Sequence, residues 1–136
     1  MILPDVNVLV HAHNTDSVVH DRARAWCEGV GLAWVTLLGF VRITTHPKIM
    51  MRPLPVKGVL DRIDAWLGLP HVHIPNPSDR HFTLLRQALQ GLGTAGNLTT
   101  DAHLATLAIE RGYILPSTDT DFARFPGLRW VTPCAA

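Results

Sequence analysis

Short apolar runs alternate with amphipathic helical patterns along this chain, and this alternation constrains its fold more than any other feature. The predicted strands are Ile2–Leu3, Leu32–Val35, His71–Ile74, Tyr113–Leu115 and Leu128–Val131. Strands that alternate with helices predict a largely parallel sheet with helices on both faces. Sheets of this kind bind ligands outside the carboxyl ends of their strands. The residues that directly follow each strand are therefore the first candidates for a functional site.

The predicted helices lie between these strands, where apolar residues recur at spacings of three and four. Asp16–Ser17 is predicted to cap a first helix that carries Val19, Ala23, Trp26 and Cys27, and a second helix is predicted over Leu37–Thr45. The inward faces of the next three are predicted to be Val56, Val59, Leu60, Ile63 and Leu67; Phe82, Leu85 and Leu89; and Leu104, Leu107 and Ala108. Four tryptophans, Trp26, Trp34, Trp66 and Trp130, are interpreted as core residues rather than base-stacking platforms.

Length and composition indicate one globular domain over residues 1–136, because 47% of the residues are hydrophobic and 17% are charged. A net charge of +1 excludes a strongly basic coat but allows a local basic patch. The two cysteines form no disulfide framework, no signal peptide is recognisable, and the longest apolar run is too short to span a membrane. We therefore expect a cytoplasmic protein without a membrane segment.

Aspartates occupy the positions where this fold places its chemistry. Asp5 follows the first predicted strand, Asp119 and Asp121 follow the strand at Tyr113, and Asp101 opens a helix after a glycine-rich loop. For each of them alone, a helix cap or a turn residue is the favoured explanation, because these are the commonest uses of Asp. Together they would converge at one sheet edge, where like charges repel unless a cation neutralises them. Oxygen ligands without Cys or His at metal spacing favour Mg²⁺, with Mn²⁺ as the alternative ion.

The order and spacing of several motifs resemble the PIN-domain ribonucleases, and specifically the VapC-type toxins of bacterial toxin–antitoxin pairs. The motifs are Asp5-Val-Asn-Val-Leu-Val-His-Ala, Gly39-Phe-Val-Arg-Ile-Thr-Thr-His-Pro, Thr100-Asp-Ala-His-Leu-Ala and Ser117-Thr-Asp-Thr-Asp-Phe. The resemblance covers essentially the whole chain and implies a three-layer α/β/α sandwich. It also implies a Mg²⁺-dependent endoribonuclease that cleaves structured cellular RNA (transfer or ribosomal), is masked by a cognate antitoxin and forms a homodimer.

Carried over by position, the resemblance assigns metal binding and catalysis to Asp5, Asp101, Asp119 and Asp121. Asn7 matches a polar residue beside that site, and we expect Asn7 and Thr118 to orient the ligands from behind. The family usually has a Glu near Leu38 or Gly39, whereas this chain has no acid between Glu28 and Asp61. We therefore expect either a weaker metal site built from four aspartates or a site in which water fills the missing ligand position.

The acid-free stretch from Gly29 to Leu60 contains four cations, Arg42, Lys48, Arg52 and Lys57. They are interpreted either as a solvated face or as a groove that binds the RNA backbone, and the groove is favoured.

Other readings of the sequence have less support. The sequence Gly91-Leu-Gly-Thr-Ala-Gly96 follows a predicted helix instead of a strand, which argues against dinucleotide binding. The eight histidines do not supply an evident zinc site. A haloacid dehalogenase-type phosphatase needs a second Asp two residues after the first, where this chain has Asn7. The missing Glu keeps open a PIN-fold module that only binds RNA or a protein partner.

Overall fold

The central sheet is built from very short parallel strands. The computed structural model describes residues 1–14 and 29–132. Its strands are β1 (Val30–Gly31), β2 (Val72–His73), β3 (Ile114–Pro116) and β4 (Arg129–Val131). β1 pairs with β2 and β3 pairs with β4, both in parallel.

The N-terminal segment joins these two pairs into one sheet. Ile2 forms parallel bridges to Val30 on one side and to Ile114 on the other. The Leu3 amide donates to the Ile114 carbonyl at 2.8 Å, and the Asp5 amide donates to the Pro116 carbonyl at 3.0 Å. The order across the sheet is therefore β2, β1, the N-terminal segment, β3 and β4, with Asp5 at the carboxyl end of the central segment. The predicted parallel sheet is confirmed.

Five helices lie in the described part of the chain and cover the sheet. They are α1 (Val6–Asn14), α2 (Trp34–Thr44), α3 (Val56–Leu67), α4 (His81–Leu92) and α5 (Thr99–Arg111), with short 3-10 helices at Gly96–Leu98 and Thr120–Arg124. Gly112 ends α5 in the left-handed region at φ 71°, which a residue without Cβ adopts at little cost. Within residues 1–14 and 29–132, no helix has the length and apolar character to cross a membrane.

Two hydrophobic clusters flank the sheet and define the three layers. The first unites α1, α2 and α3 and contains Leu9, Val30, Leu32, Leu37, Phe40, Val59 and Ile63. The second contains Leu3, Ala33, Leu115 and Phe122 with the inner face of α5, and α4 packs against it. Ile2 belongs to the first cluster and Leu3 to the second, because neighbouring strand residues point to opposite faces. This is the three-layer α/β/α arrangement that the resemblance implied.

The predicted strand over Leu32–Val35 is wrong. The strand is Val30–Gly31, and α2 begins at Trp34. A short, continuous apolar run is compatible with a buried strand and with the buried first turn of a helix, and its periodicity does not distinguish the two. The core assignment of Trp34 fails with it, since 56% of its surface is exposed. The predicted helix from Asp16 to Cys27 and the core assignment of Trp26 lie outside the described residues.

Three predicted core residues also point outward. Val56, Leu60 and Phe82 are 54%, 48% and 69% exposed. α3 buries a narrower stripe that centres on Val59 and Ile63, and Val56 and Leu60 lie beside it. Helices are confirmed at the three later predicted positions, and the helix predicted over Leu37–Thr45 is confirmed with an earlier start at Trp34. The inward face of α5 is confirmed as well.

A buried carboxylate connects α4 to α5. Glu110 of α5 accepts hydrogen bonds from the Ser78 hydroxyl at 2.6 Å and from His81 Nδ1 at 2.9 Å, and its side chain is 2% exposed. His81 Nε2 lies 2.9 Å from His103 Nδ1. Burial alone would raise the pKa of Glu110, but the hydrogen bonds from Ser78 and His81 outweigh it and lower that pKa. The ionised carboxylate therefore stabilises the contact between the two helices.

We expect Glu110→Gln to reduce the free energy of unfolding at pH 7 by about 1–3 kcal/mol, since a buried hydrogen-bonded charge is lost. The folded-state pKa of Glu110 is lowered, so its contribution is present above the unfolded value of 4.5 and disappears as the pH falls through the folded value. Denaturant unfolding of both proteins from pH 7 downward measures this. A difference that does not shrink at acid pH would contradict the assigned role of the charge.

Candidate active site

Asp5 lies where the central segment of the sheet turns into α1. Its Oδ1 accepts the Val6 amide at 2.8 Å, and its carbonyl accepts the Val8 amide at 3.1 Å. The side chain caps the first turn of α1 and is only 8% exposed. Burial is the largest effect on the pKa of Asp5 and raises it; the Asp119 charge raises it further, while hydrogen bonds from Ser117 and Val6 oppose the rise.

The Ser117 hydroxyl ties the two main acidic segments together. It donates to Asp5 Oδ2 at 2.8 Å and accepts the Asp119 amide at 3.0 Å. Ser117 is fully buried at the end of β3, and its own backbone is held by the Val131 carbonyl and by the Trp130 indole N–H. A hydroxyl with fixed partners on both sides fixes the position of Asp5 relative to Asp119.

Asn7 strengthens the same junction from the first turn of α1. Its Nδ2 donates to Asp5 Oδ2 at 3.3 Å and to Ser117 Oγ at 3.4 Å, and its Oδ1 accepts the Thr118 amide at 3.5 Å. Thr118 contributes this contact through its backbone, and its side chain is exposed. The expected orienting role of Asn7 agrees with these contacts, whereas the role of Thr118 rests on its N–H group.

Asp119 and Asp121 lie in the tight turn after β3. Asp119 caps the 3-10 helix Thr120–Arg124, and its Oδ1 accepts the Asp121 amide at 2.9 Å. Asp119 is half-buried and Asp121 is exposed. Asp119 therefore lies at the carboxyl edge of the sheet, joined to Asp5 through Ser117, and Asp121 follows it in the same turn.

Asp101 reaches this edge from the first turn of α5. Burial and then the charges of Asp5, Asp119 and Asp121 raise the pKa of Asp101 to about 6. Asp101 thus lies within electrostatic reach of the other three aspartates. The structure brings together all four aspartates named from the sequence, and we call them the aspartate cluster.

The donor set of the aspartate cluster suits a hard divalent cation. Its members offer carboxylate oxygens. The side chains that donate hydrogen bonds to Asp5, Ser117 and Asn7, are both neutral. The charges that raise the pKa of Asp101 are all negative, so a cation would relieve their repulsion. Within the described ranges no three His, Cys, Asp or Glu side chains are already gathered at ligating distances. Metal binding by this cluster stays a prediction.

The position of the missing Glu packs against the first residue of α1. A Cβ at Gly39 would come within 3.2 Å of Val6 Cγ2, so this position of α2 contacts the residue that follows Asp5. Leu38 is 66% exposed and points to solvent. Of the two positions named from the sequence, Gly39 is the one that faces the segment after Asp5.

We expect Gly39→Glu to tighten Mg²⁺ binding about tenfold or more, because it adds a carboxylate next to Asp5. The close contact with Val6 and the added charge should also lower stability in chelator. Isothermal calorimetry with Mg²⁺ measures the affinity. Leu38→Glu is the matched control and should leave it unchanged; equal affinities for all three proteins would show that α2 does not face the metal.

The four predicted RNA-binding cations are exposed but lie away from the aspartate cluster. α2 leads away from the carboxyl edge, and Arg42, Lys48, Arg52 and Lys57 follow on its last turn, in the next loop and at the start of α3. Lys57 forms an ion pair with Asp61 at 2.8 Å. The structure therefore separates the basic group from the acids along the length of α2.

Ser117 is the residue that sequence reasoning missed. In the stretch Ser117-Thr-Asp-Thr-Asp the sequence draws attention to the acids, and the residue predicted to support them is Thr118. Strand alternation would have favoured Ser117, because it lies two residues after the buried Leu115 and is itself buried, whereas Thr118 is exposed.

Comparisons with known proteins show the family and the fold of this chain. The PIN domain family matches residues 2–128. The chain is 42% identical to Ribonuclease VapC37 of Mycobacterium tuberculosis, and the alignment covers 99% of each chain. Among solved structures it is similar to a VapBC2 complex from Rickettsia felis bound to a promoter DNA fragment, with a TM-score of 0.71, 18% identity and coverage of 97% of this chain and 98% of that one. A toxin–antitoxin complex from Klebsiella pneumoniae gives a TM-score of 0.67 at 19% identity, with 98% of each chain covered.

Proposed function

The chain belongs to the PIN-domain family, in its VapC group, and from this premise we propose that it is a metal-dependent endoribonuclease and the toxin of a toxin–antitoxin pair. The observation that carries the proposal is the aspartate cluster, in which the charges of Asp5, Asp119 and Asp121 all act on Asp101. Carboxylates whose negative charges act on Asp101 at the carboxyl edge of a parallel sheet are unfavourable unless a bound cation neutralises them.

The residues of the cluster have separate tasks in this proposal. Asp5, Asp101, Asp119 and Asp121 would hold Mg²⁺ or Mn²⁺, which, when bound, supplies an activated water and charge stabilisation for in-line attack on a phosphodiester. Ser117 and Asn7 hold Asp5 in place through hydrogen bonds, so its free lone pairs keep one direction. Burial of Asp5 lowers the local dielectric and strengthens its attraction for a cation.

The substrate and partners follow from the family. We propose structured RNA (transfer or ribosomal) as substrate, and products with a 5′-phosphate and a 3′-hydroxyl. A cognate antitoxin, encoded beside this chain, would mask the site, and two copies of the chain would form a homodimer in the cytoplasm. The two solved structures named above are complexes of this toxin–antitoxin type, which supports an antitoxin as partner.

Expression in bacteria tests the toxin assignment. We expect growth arrest when the chain is produced alone and relief when the small reading frame beside it is co-expressed. Asp5→Asn should remove the arrest while the protein still accumulates in folded form. Undiminished arrest by folded Asp5→Asn protein would contradict the nuclease proposal.

Mg²⁺ or Mn²⁺ should raise the melting temperature of the isolated protein, because a ligand that binds only the folded state stabilises it. With Glu absent near Gly39, we expect the shift at millimolar concentrations. Thermal melts in three buffers, with chelator, with Mg²⁺ and with Mn²⁺, measure the shift. Asp101→Asn should reduce it.

The absence of an acid near Gly39 favours one alternative, a PIN-fold module that binds RNA or a protein without cleaving it. Such a module would show no melting shift with either ion and no RNA cleavage.

A further inference from the structure

Trp34 is an exposed tryptophan that follows β1 at the carboxyl edge of the sheet. It is the first residue of α2, and 56% of its surface is open. Its neighbours Ala33 and Val35 both pack in the cluster that contains Leu3 and Ala102. Leu3 lies two residues before Asp5 in the chain, and Ala102 directly follows Asp101. The indole therefore stands where α2 leaves the edge that carries the acids.

Trp34 begins a continuous exposed stripe on α2. Leu38, which is 66% exposed, and Arg42 follow it at spacings of four residues and share its side of the helix. We call these three residues the outer face of α2. Trp34 and Arg42 are about 12 Å apart along the helix axis. Beyond Arg42 come the exposed Lys48 and Arg52.

The segment that carries this stripe has charges of one sign only. From Gly29 to Leu60 the chain contains no acidic residue. The exposed indole lies at the acidic end of the stripe and the cations at the other end. A ligand that covers the outer face of α2 needs a flat apolar group at the Trp34 end, near the aspartate cluster, and negative charges at the Arg42 end. Single-stranded RNA combines both, with bases that stack on aromatic rings and a phosphate at each nucleotide.

We propose that Trp34 stacks on an unpaired base next to the cleaved bond of the RNA substrate, and that the adjoining backbone follows the outer face of α2 toward Arg42. This inference rests on the proposed ribonuclease function. The inference also explains how the separate basic group serves the site. An RNA strand that runs along α2 reaches both the aspartate cluster and the cations. Structured RNA offers such bases in its loops and bulges.

Binding in chelator separates this contact from catalysis. The probe is a fluorescent single-stranded oligoribonucleotide, and its anisotropy is measured with the full chain. Trp34→Leu keeps an apolar side chain but removes the aromatic plane, and we expect about tenfold weaker binding. Trp34→Phe should stay within about threefold of the wild type, since a smaller ring still stacks. Inorganic polyphosphate should bind wild type and Trp34→Leu equally, because it carries charge without bases.

Phe82→Leu is the matched control, since Phe82 is a 69% exposed aromatic on α4. It should leave RNA affinity unchanged. Unchanged affinity in Trp34→Leu, an equal loss for polyphosphate, or an equal loss in Phe82→Leu would overturn the inference. Loss of antitoxin binding in Trp34→Leu with RNA binding intact would also overturn it and assign the surface to the protein partner.

The two proposals fail in different ways. A wild-type protein that binds RNA through Trp34 but cleaves none with Mg²⁺ or Mn²⁺ contradicts the ribonuclease proposal and leaves the stacking contact standing. A wild-type protein that cleaves RNA, with the same KM in Trp34→Leu, contradicts the stacking contact alone.

Discussion

Replacing Asp101 by asparagine is expected to abolish RNA cleavage and to make the metal-free protein more stable. Loss of a carboxylate that holds the metal should lower the cleavage rate by more than the ~10–100-fold that follows from loss of a supporting residue. Stability should rise because Asp101 is ionised at pH 7 against burial and three negative charges. Since Asp101 is partly exposed and screened, we expect a gain of about 1–2 kcal/mol in the free energy of unfolding.

The pH dependence of this gain follows from the raised pKa. The pKa of Asp101 is about 6 in the folded protein, against 3.8 for the free side chain, so folding takes up a proton between these values. The wild type therefore loses stability as the pH rises from about 4 to 6, and Asp101→Asn does not. Denaturant unfolding in chelator at pH 4 and pH 7 measures the free energy of unfolding of both proteins. Asp64→Asn, an exposed change on α3, is the control and should alter neither stability nor cleavage. A destabilised Asp101→Asn protein at pH 7 would contradict the electrostatic account.

Ser117→Ala should lower RNA cleavage about 10–100-fold, because it removes the hydroxyl that fixes Asp5 relative to Asp119. The Asp5 carboxylate loses a buried donor and the Asp119 amide loses its acceptor. We expect a loss of about 1.5–3 kcal/mol in stability, the usual cost for hydrogen bonds to charged groups. Cleavage rates under saturating metal and urea unfolding measure the two effects.

Thr118→Ala is the matched control for Ser117→Ala. It removes the adjacent hydroxyl but keeps the Thr118 amide that reaches Asn7. We expect wild-type cleavage and stability. Ser117→Cys keeps the volume and a weak donor, and should fall between the wild type and Ser117→Ala. Equal activity in Ser117→Ala and Thr118→Ala would show that the buried hydroxyl does not position the acids.

The parallel sheet and the place of the acids were predictable from the sequence, because both follow from position along the chain. Asp5 and Asp119 each come within four residues of the end of an apolar run, and the carboxyl ends of parallel strands meet at one edge. Asp101 was predictable as a member of the aspartate cluster, because it opens a helix that leads into the next parallel strand. Such a helix begins at the carboxyl edge of the sheet. Periodicity also gave the inward face of α5, where Leu104, Leu107 and Ala108 are buried.

Exposure and hydrogen-bond partners were not predictable in the same way, because they depend on what packs against each residue. Trp34 belongs to an apolar run, and only the early start of α2 turns its indole outward. Ser117 differs from Thr118 by one position, and the sequence does not show that its hydroxyl meets Asp5 from a segment 112 residues away. The separation of the basic group from the acids depends on the direction of α2, which the charge pattern alone does not contain.

Cleavage of purified RNA by the purified chain tests the central claim most directly. Structured RNA is incubated with the wild type and with Asp5→Asn, each in Mg²⁺, in Mn²⁺ and in chelator, and the product ends are identified. The account predicts cleavage by the wild type with either ion, products with 5′-phosphate ends, and none with chelator or with Asp5→Asn. Cleavage that persists in chelator, or that Asp5→Asn carries out at the wild-type rate, would contradict it.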